Sequence, residues 1–193
     1  MTNGYELRPA ARSDARSIAA LIDMAGEGIP SLLWGMSKPD EISTLDYGET
    51  RAAREGVNFC YQNATIAQCA DGVAGMVLAY PLEAEDFDIN DIPEIVRPLV
   101  ELESLAPGSL YINAIGVYPV HRGRGLGGTL LESAHAAGKL ARCQSTSLIV
   151  AAENRAANLY KRCGYEVTAK RPVVPFPGFP HGGDWVLMIK PLG

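Results

Sequence analysis

The sequence predicts an α/β fold in which a mixed sheet of six or seven strands is flanked by helices on both faces. Three observations support this prediction. Two β-rich runs, 59–69 and 73–82, flank Asp71-Gly72, a residue pair typical of a hairpin. Four glycines between residues 123 and 128 connect a strand pattern with an amphipathic helix pattern. Beyond them strands and helices alternate, as they do where strands pair in parallel.

The N-terminal residues predict one strand and one helix. The strand covers 5–9 and stops at Pro9, because proline cannot donate to the hydrogen bonds of a sheet. The helix covers 14–25, with Ser13 in the N-cap position and Gly26 at its end. Apolar residues recur within it at helical spacing, which predicts one buried face.

The segments on either side of the hairpin are less regular. A polar helix is predicted over 44–55. The segment 83–107 is acidic at first and helical afterwards, with Pro98 expected to kink or divide the helix. We interpret it as an insertion, at about 83–108, into a single domain that spans residues 1–193.

The second half of the chain predicts strands and helices in alternation. The strands cover 109–117, 147–151, 165–171 and 185–189. The helix after the glycine turn has one apolar face, formed by Leu130, Ala134, Ala137 and Ala141. Asn154 caps a short helix that Gly164 ends, and the proline- and glycine-rich stretch 173–183 is a loop.

Composition limits the classes of function. With 47 % hydrophobic and 20 % charged residues, the chain has the usual globular balance. Its net charge of −5 argues against a general nucleic-acid binder, which normally carries a basic face. The four cysteines lack CxxC or zinc-ligand spacing, so we expect reduced thiols in a cytoplasmic protein and no bound metal. No leader pattern or long apolar run indicates secretion or a membrane span.

The glycine-rich turn predicts a phosphate-binding site. Glycines leave backbone N–H groups exposed, and the N-terminus of the following helix adds a partial positive charge. Arg122 and Arg124 stand among these glycines and add two full charges. The alternative is a tight turn that carries two solvated arginines.

A different class of enzyme offers a second interpretation of this turn. Gly123-x-Gly125-x-x-Gly128 matches the dinucleotide fingerprint, and Glu153 lies where a ribose ligand would be expected. Against it, residues 118–122 separate the fingerprint from its strand, and too little chain follows for a doubly wound sheet. A Walker loop is excluded, because no Lys-Ser or Lys-Thr follows the glycines.

Two sequence blocks together resemble one known family. The run Val117-x-Pro119-x-x-Arg122-Gly123-x-Gly125-x-Gly127 resembles the R-x-x-G-x-G/A signature of the Gcn5-related N-acetyltransferases, the GNAT family. Further along the chain, the family's second block is matched by Asn154, Ala157, Leu159 and Tyr160, followed by Cys163-Gly164-Tyr165. The resemblance is specific over 110–165, only architectural before residue 82, and absent from 83–107.

The resemblance implies an acyl-CoA N-acyltransferase fold and transfer of an acetyl group from acetyl-CoA to a primary amine. The family binds acetyl-CoA where two parallel strands diverge, which here correspond to 109–117 and 147–151. The implied cofactor contacts are Ile115, Val117, Arg122, Gly123, Arg124, Gly125, Leu126, Gly127, Gly128, Asn154 and Tyr160. The N–H of Val117 or a neighbour would polarise the thioester carbonyl. Asn154 has a plain alternative role as a helix cap.

Catalytic roles also follow from the resemblance. Tyr160 would protonate the leaving thiolate, unless it is an ordinary core tyrosine. Family members often carry a basic carboxylate on one of the two strands, but Asn113 and Ile149 occupy those positions here. Asn113 would instead orient a water or the substrate. Glu153, His121 and the acidic insertion remain candidate bases, and a chain of waters is a further alternative. His121 is interpreted first as a solvated turn residue.

The expected partner is a small-molecule or peptide amine, and a homodimer is left open. The acidic residues of 83–91 would suit a cationic amine, although such a run is more often a solvated loop. Four aromatic residues either line an acceptor pocket or anchor loops: Trp34, Tyr47, Phe176 and Phe179. The alternative from another class is a non-catalytic coenzyme A sensor, suggested by the missing carboxylate at Asn113.

Overall fold

The computed structural model describes residues 4–84 and 88–193. Within them seven strands occur: β1 (Glu6–Pro9), β2 (Ala64–Cys69), β3 (Gly72–Pro81), β4 (Ser109–Val117), β5 (Ser145–Ala151), β6 (Glu166–Pro172) and β7 (Asp184–Pro191). They form one sheet in the order β1-β2-β3-β4-β5-β7-β6. Strands β4 and β5 pair in parallel, whereas β1 with β2, β2 with β3, and β7 with both β5 and β6 are antiparallel. The predicted mixed sheet is therefore confirmed.

Helices separate most of these strands. The described part of the chain contains α1 (Ala15–Ala25), α2 (Ile29–Ser37), α3 (Thr44–Ala52), α4 (Arg97–Glu103), α5 (Leu126–Leu140) and α6 (Ala156–Arg162). The sequence did not predict helix α2. This helix has a proline in its first turn, and its Trp34 is buried against Gly48 of α3. Helix α3 begins as predicted, because the Ser43 hydroxyl accepts a hydrogen bond from the Asp46 N–H at 3.1 Å.

The chain forms two compact units. Within the described residues, the first comprises 4–79 and 114–133, and the second comprises 80–84, 88–113 and 134–193. Strands β3 and β4 and helix α5 contribute residues to both units. The single domain with an insertion at about 83–108 stays a prediction.

In the first unit, an ion pair organises the start of α1. The carboxylate of Asp14 accepts hydrogen bonds from Arg8 Nη1 and Nη2 at 2.7 and 2.9 Å, and from the Ala11 N–H at 2.8 Å. The predicted N-cap role of Ser13 is wrong, because residues Arg12–Asp14 form a 3-10 turn and Ser13 is exposed within it. Helix α1 ends at Gly26, as predicted.

The hairpin of the first unit is shorter than predicted. Strand β2 begins at Ala64, because Tyr61–Asn63 form a 3-10 turn where the pattern predicted strand. Cys69 pairs with Gly72, so the two-residue turn is Ala70-Asp71 and the glycine opens β3 with φ +113°. That backbone conformation is one that glycine adopts without strain.

Two glycines let β3, β4 and α1 approach closely. A Cβ at Gly75 would lie 2.7 Å from the carbonyl oxygen of Gly116, and a Cβ at Gly116 would lie 2.7 Å from that of Leu21. Any side chain at either position would force these elements apart. The contact fixes the position of the C-terminal end of β4, which precedes the glycine-rich turn.

In the second unit, helices cover both faces of the sheet. Strands β4 and β5 pair from Ser109 with Ser145 to Tyr111 with Ser147. The face that carries Leu110 meets α5, since a Cβ at Gly138 would lie 3.4 Å from the Leu110 Cβ. The next residue, Tyr111, points to the opposite face and hydrogen-bonds to Glu103 of α4.

One expectation for these helices is confirmed and one is wrong. The helical stretch around Pro98 is divided into the 3-10 turn Glu94–Val96 and helix α4, and Pro98 stands in the first turn of α4, where its missing N–H breaks no helical bond. Ala137 and Ala141 are exposed, and the buried positions of α5 include Leu130, Leu131 and Ala134. Leu131 and Gly138 face the core instead, and glycine stands at 138 because a Cβ there would lie 2.6 Å from Leu192 Cδ1.

Candidate phosphate loop and acyl-transfer site

The glycine-rich turn, residues 122–128, is called the phosphate loop below. It follows the 3-10 turn Pro119–His121 and leads into α5 at Leu126. Gly123 and Gly125 have φ +75° and +80°, and a Cβ at either would meet nothing within 4 Å. Glycine is therefore required by the backbone conformation and not by packing. A Cβ at Gly128 would also meet open space, so the surface of the loop is clear for a ligand.

Several backbone amides of the phosphate loop lack an acceptor. The carbonyl oxygen of Gly125 accepts from the N–H groups of Gly128 and Thr129 at 3.0 and 3.2 Å, which closes the first turn of α5. Within the described residues, the N–H groups of 123–127 have no backbone acceptor. These amides stand at the positive end of a helix of 15 residues. Donors of this kind suit an anion, and the anion site itself stays a prediction; Leu126, within the loop, is 3 % exposed.

The two arginines of the phosphate loop differ in their contacts, although both are exposed. Arg122 Nε donates to the carbonyl oxygen of Val117 at 3.0 Å, and its Nη2 lies 3.3 Å from the Met24 sulfur. Among the described residues Arg124 has no hydrogen bond or ion pair. Arg122 thus fastens the loop to the end of β4, and Arg124 offers the loop an unshared positive charge.

The end of β4 carries the two predicted pantetheine contacts. Ile115 and Val117 are both half-buried and belong to the first unit. The following residue, Tyr118, donates its N–H to the carbonyl oxygen of Ala74 in β3 at 3.0 Å. This bond continues the pairing of β4 with β3 one residue past the end of β4, and it fixes the position of the strand end.

His121 is not the solvated turn residue that the sequence suggested. It is half-buried, and its Nδ1 lies 3.1 Å from the hydroxyl of Tyr5. The two rings meet edge to face with centroids 5.7 Å apart. The interpretation was wrong because Tyr5, 116 residues away in the chain, provides a partner that local pattern cannot show.

In the second unit, Tyr160 lies on α6 and is half-buried. Desolvation raises the pKa of its phenol to about 12. Its ring meets that of Tyr165 edge to face, with centroids 6.0 Å apart. Tyr165 is held in turn through its hydroxyl, which lies 2.7 Å from Thr146 Oγ1 and 3.0 Å from His135 Nε2. The neighbour of Tyr160 is therefore fixed by two side-chain hydrogen bonds.

Asn154 does cap α6. Its Oδ1 accepts from the Ala156 N–H at 2.8 Å, and its carbonyl oxygen accepts from the Ala157 N–H at 3.0 Å. The side-chain Nδ2 has no acceptor within the described residues. Capping and ligand binding are thus compatible, because they use opposite ends of the same amide.

Asn113 belongs to a polar group that sequence analysis missed. Its Nδ2 donates to the Tyr80 hydroxyl at 3.3 Å. The ring of Tyr80 meets that of Tyr111 edge to face at 5.8 Å, and the buried hydroxyl of Tyr111 hydrogen-bonds to Glu103. Burial, above all, raises the pKa of Tyr111 well above its ordinary value, so its phenol stays protonated. The only available signal was the spacing of Tyr111 and Asn113, which places both on one face of β4.

Glu153 follows β5 and lies beside the loop 173–183. Its Oε2 is 4.0 Å from His181 Nδ1. Within that loop Phe176 stacks on Phe179 with centroids 4.7 Å apart, and Phe179 packs on Trp185 of β7 at 5.2 Å. These contacts make Phe176 and Phe179 loop anchors, one of the two roles predicted for them.

The remaining candidate residues are partly accounted for. Trp34 is 7 % exposed and anchors α2 on α3, whereas Tyr47 is half-buried. In the acidic segment, Glu85 and Asp86 lie outside the described residues, and Glu83, Asp88 and Asp91 are exposed.

All four cysteines are free thiols. No described helix is long and apolar enough to cross a membrane, and no described cluster of His, Cys, Asp or Glu has the grouping of a metal site.

Comparison with known proteins concerns the chain as a whole. The model of the acetyltransferase (GNAT) domain matches residues 61–167, which is more than half of the chain. A search of curated protein sequences found no relative. Among solved structures, an agmatine N-acetyltransferase shares 16 % identity over 98 % of this chain and 100 % of its own, with a TM-score of 0.71.

Two further solved structures have the same fold. A polyamine N-acetyltransferase of Drosophila melanogaster is 16 % identical over 97 % of this chain and 99 % of its own, with a TM-score of 0.70. The yncA protein of Salmonella typhimurium, solved with acetyl-CoA, is 19 % identical over 99 % and 95 %, with a TM-score of 0.61. The dinucleotide interpretation is overturned, because a mixed sheet with an antiparallel hairpin is not a doubly wound parallel sheet.

Proposed function

Because the chain belongs to the GNAT acetyltransferase family, we propose that it transfers the acetyl group of acetyl-CoA directly to a primary amine. The observation that carries this proposal is the phosphate loop, whose N–H groups at 123–127 lack backbone acceptors within the described residues. A pyrophosphate presents the oxygens that such donors require. The open space above Gly123, Gly125 and Gly128 leaves room for it.

The proposed roles of the arginines differ from each other. Arg124 adds its charge to the pyrophosphate, because nothing in the described residues competes for it. Arg122 acts through the strand: its bond to the Val117 carbonyl sets the orientation of the peptide that follows. Ile115 and Val117 then pair their backbone groups with the pantetheine arm, as an added strand would. The Val117 N–H stabilises negative charge on the thioester oxygen during attack.

Tyr160 is the proposed proton donor to the leaving sulfur. A phenol donates only while it is protonated, and burial raises the pKa of Tyr160 to about 12. It therefore remains protonated at neutral pH and holds a proton that it can donate to the sulfur as the C–S bond breaks. Asn154 contributes the N–H groups of its Nδ2 to the pantetheine, with Oδ1 already bonded to α6.

Asn113 and Tyr80 are proposed to hold the attacking amine or a water next to it. In their bond Asn113 Nδ2 is the donor and the Tyr80 oxygen the acceptor. This leaves Asn113 Oδ1 to accept from an N–H of the substrate. The acceptor is a small-molecule or peptide amine; two structural neighbours are named for agmatine and polyamine.

Thiol release from acetyl-CoA tests the proposal. The purified chain is assayed with a panel that includes agmatine, spermidine and a peptide with an N-terminal alanine, and each amine product is identified by mass spectrometry. Acetyl-CoA affinity is measured in parallel by calorimetry. We expect amine-dependent release with one acetyl group transferred per thiol.

The alternative function, a coenzyme A sensor, is favoured only by the absence of a carboxylate at Asn113. Tight binding of acetyl-CoA without thiol release for every amine would support it and contradict acetyl transfer. Tyr160→Phe provides the matched comparison: a transferase loses turnover and keeps affinity, whereas a sensor has no turnover to lose. Tyr61→Phe, at an exposed hydroxyl bonded to Glu55 in the first unit, is the control.

A further inference from the structure

Two arginines of the first unit, Arg51 and Arg54, lie at the end of α3 without a carboxylate partner. Arg8 and Arg16, in the same unit, are both paired with carboxylates. Arg51 stands in the last turn of α3 and Arg54 follows its C-cap, and neither forms an ion pair within the described residues. Both side chains are half-buried. Two positive charges are thus partly removed from water with no opposite charge beside them.

The two guanidinium groups are held close to each other. Arg54 Nε donates to the Arg51 carbonyl oxygen at 3.1 Å, which folds the Arg54 side chain back over the end of the helix. Burial, and after it the charge of Arg51, lower the pKa of Arg54. Because each charge disfavours the other, an anion bound to both would be stabilised by both.

The donors of this pair are largely unused. Arg51 Nε is buried and has no hydrogen-bond partner in the described residues, a costly state for a donor on a charged group. Of five N–H groups on each guanidinium, Arg54 uses one in the bond to Arg51. Tyr47, one helical turn before Arg51, lies close enough to Arg54 to affect its pKa. Its hydroxyl has no hydrogen bond in the same part of the chain.

The acidic residues that flank the pair in the sequence bind elsewhere. Glu49 accepts from Arg16 at 2.8 Å, and Glu55 accepts from the Tyr61 hydroxyl at 2.8 Å. A basic residue at the C-terminus of a helix does interact favourably with the helix dipole. That interaction explains a positive charge at this position, but it does not supply an acceptor for the buried Nε of Arg51.

The pair lies toward the opposite end of β2 and β3 from the phosphate loop. The connection from α3 enters β2 at Ala64, which pairs with Leu78 of β3. Cys60 of this connection is close enough to Arg54 to affect its pKa. The backbone just before the phosphate loop is instead bonded to Ala74 of β3. Four residues of an extended strand, about 13 Å, separate these two positions on β3.

We propose that Arg51 and Arg54, together with the Tyr47 hydroxyl, bind a phosphate monoester or a similar tetrahedral dianion at a site separate from the phosphate loop. Two guanidinium charges without a carboxylate match the two charges of such an anion. The planar fork of each guanidinium fits a pair of its oxygens, and the hydroxyl can donate to another. The inference does not depend on acetyl transfer, because the site makes no use of acetyl-CoA.

Nuclear magnetic resonance of the chain labelled with 15N-arginine, titrated with inorganic phosphate at about pH 8, tests this site. We expect saturable shifts of the Nε–H signals of Arg51 and Arg54, with and without saturating acetyl-CoA. Arg51→Gln and Arg54→Gln should each raise the dissociation constant of phosphate about tenfold, because each removes charge-assisted hydrogen bonds. Arg142→Gln, at an exposed arginine of the second unit with no bond among the described residues, is the matched control. It should change this constant by less than about twofold.

Thermal unfolding provides a second measurement if a variant is less stable. At constant ionic strength, phosphate should raise the unfolding temperature of the wild type more than chloride does, because it binds the folded state. Arg51→Lys keeps the charge but not the planar fork, and should lose most of this gain. The inference would be overturned by the absence of a saturable shift at either arginine or by unchanged phosphate affinity in both glutamine variants. Loss of the arginine shifts when acetyl-CoA saturates the chain would also overturn it.

Discussion

Arg122 and Val117 are joined by a hydrogen bond of 3.0 Å, from the guanidinium Nε to the backbone carbonyl oxygen. The bond connects the phosphate loop to the last residue of β4 within the first unit. It directs one arginine of the motif toward the strand and leaves the other, Arg124, facing solvent. We therefore expect the loss of Arg122 and the loss of Arg124 to have different effects, although both arginines belong to one short motif.

Arg124→Gln should weaken acetyl-CoA binding in a salt-dependent manner. An exposed charge interaction is worth about 0.5–1 kcal/mol, so the dissociation constant should rise about two- to fivefold at low salt and less at high salt. Calorimetry at two salt concentrations measures this. Arg122→Lys is the matched comparison, because it keeps the charge but loses Nε: its affinity should change little while kcat falls. Equal behaviour of the two variants would contradict the division of roles.

Gly125→Val should abolish measurable acetyl-CoA binding while the fold persists. The φ of +80° at this position costs a side-chain-bearing residue about 1–2 kcal/mol, and a branched residue more. A Cβ there meets no protein atom within 4 Å, so the strain, and not a clash in the core, is the expected defect. Circular dichroism should show native secondary structure, and calorimetry should show no saturable heat. Unchanged affinity would count against the phosphate loop.

Tyr160→Phe should lower kcat roughly 100-fold and leave acetyl-CoA affinity unchanged, since it removes only the donated proton. The pH dependence follows from the raised pKa of about 12. A proton donor loses competence as pH rises through its own pKa, so Tyr160 should cause no decline of kcat below about pH 11. A decline near pH 10 that vanishes in Tyr160→Phe would contradict the raised pKa on which the assignment of Tyr160 as proton donor depends.

Asp14→Asn should destabilise the first unit by about 1.5–3 kcal/mol, the range for charge-assisted hydrogen bonds. The Arg8 hydrogen bond is the main cause of the lowered pKa of Asp14. A carboxyl with a lowered folded pKa stabilises above its unfolded pKa, near 3.9, and that stability is lost as pH falls through the folded value. Thermal unfolding at pH 7 should therefore separate variant and wild type, and the gap should narrow below about pH 4.

A matched substitution controls for the effect of losing any carboxylate. Asp46 pairs with Arg16 at 2.7 Å, but both side chains are about half exposed. Asp46→Asn should therefore leave the unfolding free energy nearly unchanged. An Asp14→Asn variant as stable as Asp46→Asn would show that the Arg8 pair contributes nothing beyond a surface interaction.

Local chemistry made much of the fold predictable. The strand 109–117 was predicted with the bounds observed, because its apolar residues are bounded by turn signals on both sides. The left-handed conformations of Gly123 and Gly125 could be expected from a turn between strand and helix. The start of α3 at Ser43 and the end of α6 at Gly164 likewise depend on residues within one helical turn.

The structural features that the sequence did not predict depend on contacts between residues far apart in the chain. Gly75 and Gly116 matter because their backbones touch, and neither lies in a recognisable motif. Tyr80 bonds to Asn113 across 33 positions, so its polar role is hidden in an apolar strand pattern. Glu153 was considered alone as a base, because nothing in the sequence places it beside His181. In each case the role of the residue depends on a contact with a residue that is distant in the sequence.

Nuclear magnetic resonance of the 15N-labelled chain during titration with acetyl-CoA tests the central claim most directly. If the phosphate loop binds the pyrophosphate, the amide signals of Gly123, Gly125 and Gly127 should show the largest saturable shifts, and those of Gly56 and Gly178 should stay in place. Saturable binding that leaves the three loop signals unmoved, with the largest shifts elsewhere in the chain, would contradict it.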